Sequence, residues 1–528
     1  MSPALAALPL LGPASLLCVT SLRPSTGHRR PEGTLRFSRW ATLFSLLLAL
    51  LACLLAAAEG AVTSPLLGYA GMGLSVRLDA ISCSMFLLVA FVGVIVVQYS
   101  RNYMDGDSRQ GAFMAGLCRT LAAVMLVVLA GNLVQLVAAW VATSLALHRL
   151  LVFYPERRSA RVAARKKFIV ARLGDASLIG AAAVLVATFR TTDIATILMR
   201  ARTMPVDAAS ATLSLAALLL GIAALMKSAQ FPSHGWLPEV MDTPTPVSAL
   251  LHAGIINAGG FLMIRFADVM LLSMPTLHLV ALVGGFTALF GGVVMLTQTS
   301  VKGSLAWSTV AQMGFMTLEC GFGAFAIALL HLVAHSLYKA HAFLSAGSVV
   351  EAETMPAFAR PRVRIMLLSL LLAMAIYAGL GWLFGVFARH QPAVMTLGAI
   401  LVMGVSMLLS SALYGATARR LVIETLAGAA GTTLAYFFLE AAVTRLTAGS
   451  LPAIPAPDVT GMLIMGLTIA SFAAVIVLQS LVVRYNPRPA WRAARVHLAN
   501  GLYVNALFDR LVGALRQDCM RDRDTTVV

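Results

Sequence analysis

Residues 329–344 read LLHLVAHSLYKAHAFL, an apolar stretch that places His331, His335 and Lys339 at successive four-residue steps. On an α-helix this spacing stacks the three groups on one face, in a column roughly 12 Å long. Imidazole titrates near neutral pH, so neighbours at this separation can pass protons directly or through one water. A charged side chain in the middle of an apolar helix is costly, and such groups face a polar cavity or the interior of a bundle. The column fits a proton wire; hydrogen bonding to neighbouring helices is the plainer alternative.

A second group of the same chemistry lies upstream. Lys227 closes an apolar run just before Pro232, and Pro238, Pro244 and Pro246 follow closely. Proline removes a backbone donor and breaks helices. Interrupted helices at membrane depth are tolerated where they line a cavity, and transporters use them for ion sites. Lys227 therefore reads as a buried ammonium that loads and releases a proton, or as a lysine reaching for the nearer interface. His252, in the next apolar run, is positioned to connect Lys227 to the downstream column. Asp175 is a candidate counter-ion for Lys227. Arg172 and Asp79 stand at span entrances, where anchoring at the interface is an equal reading.

The elements that must hold these groups are membrane helices. Of 528 residues, 59% are hydrophobic and 12% charged, outside the range of soluble domains. Apolar runs long enough to cross the bilayer recur along the chain, giving an all-α polytopic membrane protein with about fifteen transmembrane helices. Their centres fall near residues 11, 49, 89, 122, 143, 179, 220, 257, 287, 311, 336, 375, 404, 432 and 471. Nothing shows the in/out alternation of an outer-membrane barrel.

The net charge of +17 marks membrane orientation, not nucleic-acid binding. Basic clusters follow only odd-numbered spans, the densest being Arg157, Arg158, Arg161, Arg165, Lys166, Lys167 and Arg172 after span five. By the positive-inside rule these loops are cytoplasmic, with the N-terminus outside and the C-terminus inside. The first apolar segment lacks a basic leader and a cleavage site and reads as a retained helix. Residues 497–517 are amphipathic and are expected to lie along the cytoplasmic interface. The six cysteines are scattered without ligand spacing, and no phosphate loop, GxSxG or HExxH occurs. No cofactor or metal is expected on this chain.

Three segments carry a family resemblance: KSAQFPSHGWLPEVMDTPTPVSALLHA (227–253), LTQTSVKGSLAWSTVAQMGFM (296–316) and HLVAHSLYKAHAFLSAGSV (331–349). They resemble the antiporter-like subunits of respiratory complex I (subunit L, or 5) and of multisubunit cation/proton antiporters. The resemblance implies inverted five-helix repeats over spans four to eight and nine to thirteen. The chain then divides into N-terminal helices (1–110), a first repeat (111–270), a second repeat (271–415), and C-terminal helices with an amphipathic tail (416–528). It also implies a proton path through Lys227, His252, His331, His335 and Lys339, with Arg172 and Asp175 in the family's RxGD segment.

Two positions depart from the complex I pattern. Val141, after Trp140, stands where that subunit has a glutamate, and Arg389 in GVFARH stands near its span-twelve lysine. Arginine does not release its proton in proteins. Asp175 is then the candidate stand-in for the missing glutamate, and protons could leave the axis near Glu319 or Tyr338. The stretch SLALHRLLVFYPERRSARVAARKKFIVARLGD (144–175) is similar to the DabB family, the membrane subunits of inorganic-carbon accumulation complexes. That resemblance implies a DabA-like cytoplasmic zinc subunit as partner, with zinc on the partner. It implies the bacterial inner membrane and ion flow that drives conversion of CO2 to bicarbonate. A redox-pump subunit and a sodium/proton antiporter subunit remain the alternatives.

Overall fold

In a computed structural model, residues 3–21, 31–205, 210–347, 363–415, 419–485 and 489–512 are described. Among them, twelve helices are long and apolar enough to cross a membrane, and two shorter apolar helices are Leu5–Ser21 and Ala211–Lys227. With Val301–Gly321, these account for every one of the fifteen expected centres. We number them as spans one to fifteen in chain order.

The bundle is built around span eight, Thr245–Arg265, whose apolar window is wholly buried. It is not one regular α-helix: Leu251–Ile255 forms a π-turn, and His252 lies inside it. Spans twelve, fourteen and fifteen (Val363–Leu383, Arg420–Thr447, Val459–Gln479) leave most of their apolar surface exposed, as helices facing hydrocarbon do. Span seven stops at Lys227. The chain breaks there through Ala229, whose φ is +49°, and a cis Phe231–Pro232 bond, before the short helix Trp236–Glu239. The proline-marked interruption is thus a real break.

Spans nine (Met274–Met295) and ten (Val301–Gly321) form the tightest helix pair. A Cβ on Gly314 would lie 2.4 Å from the Ala288 nitrogen, and one on Gly321 would lie 2.4 Å from the Ala281 nitrogen. Close backbone approach through small residues is how membrane helices gain packing contacts where lipid offers no hydrophobic drive. Gly314→Val is therefore expected to lower the amount of folded protein in membranes severalfold, measured by detergent extraction and size-exclusion chromatography, while Gly292→Ala, which meets open space, leaves it unchanged.

One sequence expectation needs correction. Span six is the apolar part of one long helix, Arg158–Phe189, and Arg172 and Asp175 lie at mid-helix, where that apolar part begins. Most of the dense basic cluster is likewise the first part of this helix and not a loop, and Lys166 and Lys167 are buried. At 32 residues the helix is about 48 Å long, longer than the hydrocarbon layer, so its basic end projects beyond the apolar part and packs against protein.

The amphipathic tail is docked on the bundle. Val504–Val512 packs onto Ser233–Gly235 in the break after span seven. Lys166 Nζ meets both Glu239 carboxylate oxygens at 2.5 Å and also pairs with Asp509, while Asn505 Nδ2 donates to Glu239. Lys166, Glu239, Asp509 and Asn505 hold the tail against the broken helix. Residues 513–517 of the expected amphipathic stretch lie outside the described residues, as does the side chain of Arg389.

Candidate functional site

Span five, Leu133–Leu151, supplies the first acceptor. Lys227 Nζ donates to Ser144 Oγ at 3.0 Å and stands 4.4 Å from the centroid of the Trp140 ring. Lys167 Nζ donates to the carbonyl oxygen of the same Ser144 at 2.8 Å. One serine thus receives two buried lysines from two helices. Val141 lies one turn before Ser144, so the neutral serine and the indole face hold the ammonium where a glutamate would otherwise stand. Asp175 forms its ion pair with Arg172 at 2.5 Å and acts on Lys227 through the field, without contact.

Span eight supplies the next group. His252 Nδ1 is 2.9 Å from Thr309 Oγ1 on span ten, and its ring stacks on Phe343 of span eleven with centroids 4.3 Å apart. Thr309 Oγ1 reaches the Leu305 carbonyl at 3.0 Å, and Lys339 Nζ donates to that same carbonyl at 3.0 Å. His252 and Lys339 are therefore joined through one threonine and one backbone oxygen. The π-turn aims the imidazole at span ten, as such turns do at functional sites.

Span eleven, Phe325–Leu344, carries the column as the four-residue spacing requires. Lys339 and His335 are buried, and His335 Nε2 has no protein partner. The His335 and His331 ring centroids are 6.2 Å apart, edge to face. His331 Nε2 lies 2.9 Å from Gln312 Oε1, and its Nδ1 lies 3.0 Å from Glu319 Oε2. Both ring nitrogens of His331 thus face an oxygen within hydrogen-bond reach, one of an amide and one of a carboxyl group. Tyr338, the other suggested exit, is 60% exposed, with its ring centroid 5.6 Å from Lys339 Nζ.

Asp79 does not join the line. It caps span three (Ala80–Tyr103) by accepting from the Ser82 nitrogen, and it pairs with Arg265 at 2.5 Å and Arg77 at 2.8 Å. Burial alone would raise its pKa, but the Arg265 and Arg77 charges outweigh that and hold the carboxyl well below the usual carboxylate range. This is a structural clamp at the end of span eight.

The structure links His252 to Lys339 by hydrogen bonds and places His335 and His331 further along the same face of span eleven, while Lys227 is held by Ser144 and Trp140 on span five. Ser144, Lys167, Thr309 and Gln312, which complete these contacts, carry no mark in the sequence. Lys167 reads there as a marker of topology; its place on a continuous helical pattern leading into Asp175 is the one signal of its inward face.

The model of the NADH:quinone oxidoreductase/Mrp antiporter transmembrane domain matches residues 130–417, and that of the complex I chain 5 N-terminus matches residues 67–114. The chain belongs to the NADH:quinone oxidoreductase/Mrp antiporter family. It is 36% identical to the probable inorganic carbon transporter subunit DabB2 of Halothiobacillus neapolitanus over 94% of this chain and 92% of that one. The similar DabB subunit of Hydrogenovibrio crunogenus is 44% identical over 60% of this chain and 62% of its own. The NADH-quinone oxidoreductase subunit L of Mycobacterium tuberculosis is 37% identical over 52% of this chain and 43% of that one. In solved structures the fold is found in the Mrp complex of Dietzia, with a TM-score of 0.62 at 24% identity, covering 98% of this chain and 60% of that chain. Within this antiporter family, the resemblance to DabB subunits extends along nearly the whole chain, and the buried lysine and histidine groups lie inside the matched membrane domain. The chain is a membrane ion-conducting subunit.

Proposed function

We propose that this chain is the energy-coupling membrane subunit of an inorganic-carbon uptake complex. It conducts protons down their gradient, and a DabA-like cytoplasmic zinc subunit uses that flow to accumulate bicarbonate from CO2. The observation that carries the reading is a set of proton-binding groups inside the bundle, Lys227, His252, Lys339 and His335 buried and His331 half-buried, with His252 and Lys339 hydrogen-bonded through Thr309 and the Leu305 carbonyl.

The complex is assigned to the bacterial inner membrane, with the basic helix ends cytoplasmic, the N-terminus outside and the C-terminus inside. Residues 111–270 and 271–415 form the two antiporter-like repeats, the first holding Lys227 and His252 and the second the span-eleven column. The cytoplasmic end of span six, together with the tail on Lys166, offers the partner its footing.

The test is carbon uptake in cells lacking carbonic anhydrase, grown in air, expressing the chain with and without its DabA-like partner. Rescue should require both proteins and be lost in Lys339→Ala. Absence of rescue with both proteins present in the membrane overturns carbon uptake in favour of a redox-pump or antiporter subunit.

A further inference from the structure

The path described so far stops at His331, and Arg389 leaves no lysine on span twelve to extend it. A second polar group continues from there. Glu319 is two residues from the end of span ten, and Glu440 lies in the second half of span fourteen; both are buried, at 3% and 6% exposure. These helix halves are opposite to the ends that carry Lys302 and Arg420, at the other side of the membrane from the basic loops. Span eleven packs against span fourteen, and span fourteen against span twelve, so the His331 column, Glu440 and Tyr377 of span twelve are brought to one region.

Tyr436, one turn before Glu440, lies within electrostatic reach of Glu319, Glu440 and Tyr377. Tyr377 lies within reach of Glu440. The hydroxyls of Tyr377 and Tyr436 are both buried without a protein hydrogen-bond partner, while Thr444 Oγ1 donates to Glu440 Oε1 at 3.3 Å. Buried hydroxyls are almost always satisfied, and phenols that act as both donor and acceptor are what a short chain of waters between two carboxylates needs.

We propose that Glu440, Tyr436 and Glu319 form the extracellular half of the conduction path, delivering protons to His331. The proposal rests on the proton-conducting reading above. A proton that binds Glu440 passes by water to the Tyr436 oxygen, which releases its own hydrogen toward Glu319. Glu319 then gives its proton to His331 Nδ1, the imidazolium releases its Nε2 hydrogen inward toward His335, and a turn of the ring returns a free Nδ1 to Glu319 for the next proton. Two carboxylates and a phenol thus take the place of the absent lysine. They attract cations from the outer face, whereas a lysine would repel them.

The complete complex is tested by carbon uptake, with protein levels in the membrane measured in parallel. Glu319→Gln keeps the shape of the side chain but carries no proton, and uptake should fall by about tenfold or more, while Glu319→Asp recovers a measurable part of it. Glu440→Gln should fall severalfold. Tyr436→Phe removes only a hydroxyl that no protein group holds, so it folds normally and should also fall severalfold. If Lys339→Ala abolishes uptake while Glu319→Gln or Tyr436→Phe retains the full rate, the outer path is wrong and the conduction reading stands. If Lys339→Ala is itself fully active, the conduction reading fails and this proposal falls with it.

Discussion

Lys227→Arg accumulates in the membrane like the natural chain and supports no carbon uptake. Arginine keeps the positive charge that Trp140 and Ser144 receive, so the packing around the break in span seven survives. It does not give up its proton at any accessible pH, and a relay needs that release at every cycle. Lys227→Ala fails as well, but it also removes a buried side chain and is open to a packing explanation. The arginine variant separates the two. Full uptake in Lys227→Arg would mean that Lys227 serves only as fixed charge, and the relay would have to end at His252. The expected loss is about a hundredfold or more, the usual scale for removing a group that transfers protons.

Asp79→Asn produces the largest loss of stability. Arg265 is 2% exposed, and its guanidinium also meets Ser82. Removing the carboxylate leaves that charge buried against a neutral amide, which costs about 3–5 kcal/mol. The variant should be nearly absent from the membrane fraction, whereas Asp79→Leu combined with Arg265→Met, which removes both charges, should recover much of the yield. The pH dependence follows from the depressed carboxyl. A lowered folded-state pKa gives stability that is fully present above the ordinary value of 3.8 and is lost only as pH falls through the lower folded value. Thermal denaturation of the purified chain between pH 5 and 8 should show no transition assignable to this clamp. A marked loss of stability on approaching pH 5 would exclude it.

Both variants probe contacts that sequence reading could reach only in part. The helices were legible because a bilayer demands long apolar runs, and the column on span eleven because three titratable groups at four-residue steps share a face whatever surrounds them. Lys227 was legible through the prolines behind it. What a single helix cannot reveal is which residue faces it across the bundle. Ser144 lies 83 positions from Lys227, and Asp79 lies 186 positions from Arg265. Arg265 sits at the end of an apolar run where a basic residue reads as an interface anchor, and only its contact with Asp79 makes it a core group. Lys166 and Lys167 were hidden for the converse reason: surrounded in sequence by arginines, they share their composition but face inward.

The close seam between spans nine and ten has a mechanical meaning. With backbones in contact at Gly284, Gly291, Gly314 and Gly321, the pair has no side-chain cushion along which to slide and behaves as a single strut. Leu305, Thr309, Gln312 and Glu319 are all mounted on that strut, so it works as a fixed rail carrying the docking points for the mobile protons. Motion between loading and release must then come from the elements that bear against the rail: span eleven, and span eight with its underwound turn. A cross-link between spans nine and ten would leave the machine running, and one between spans eight and ten would stall it.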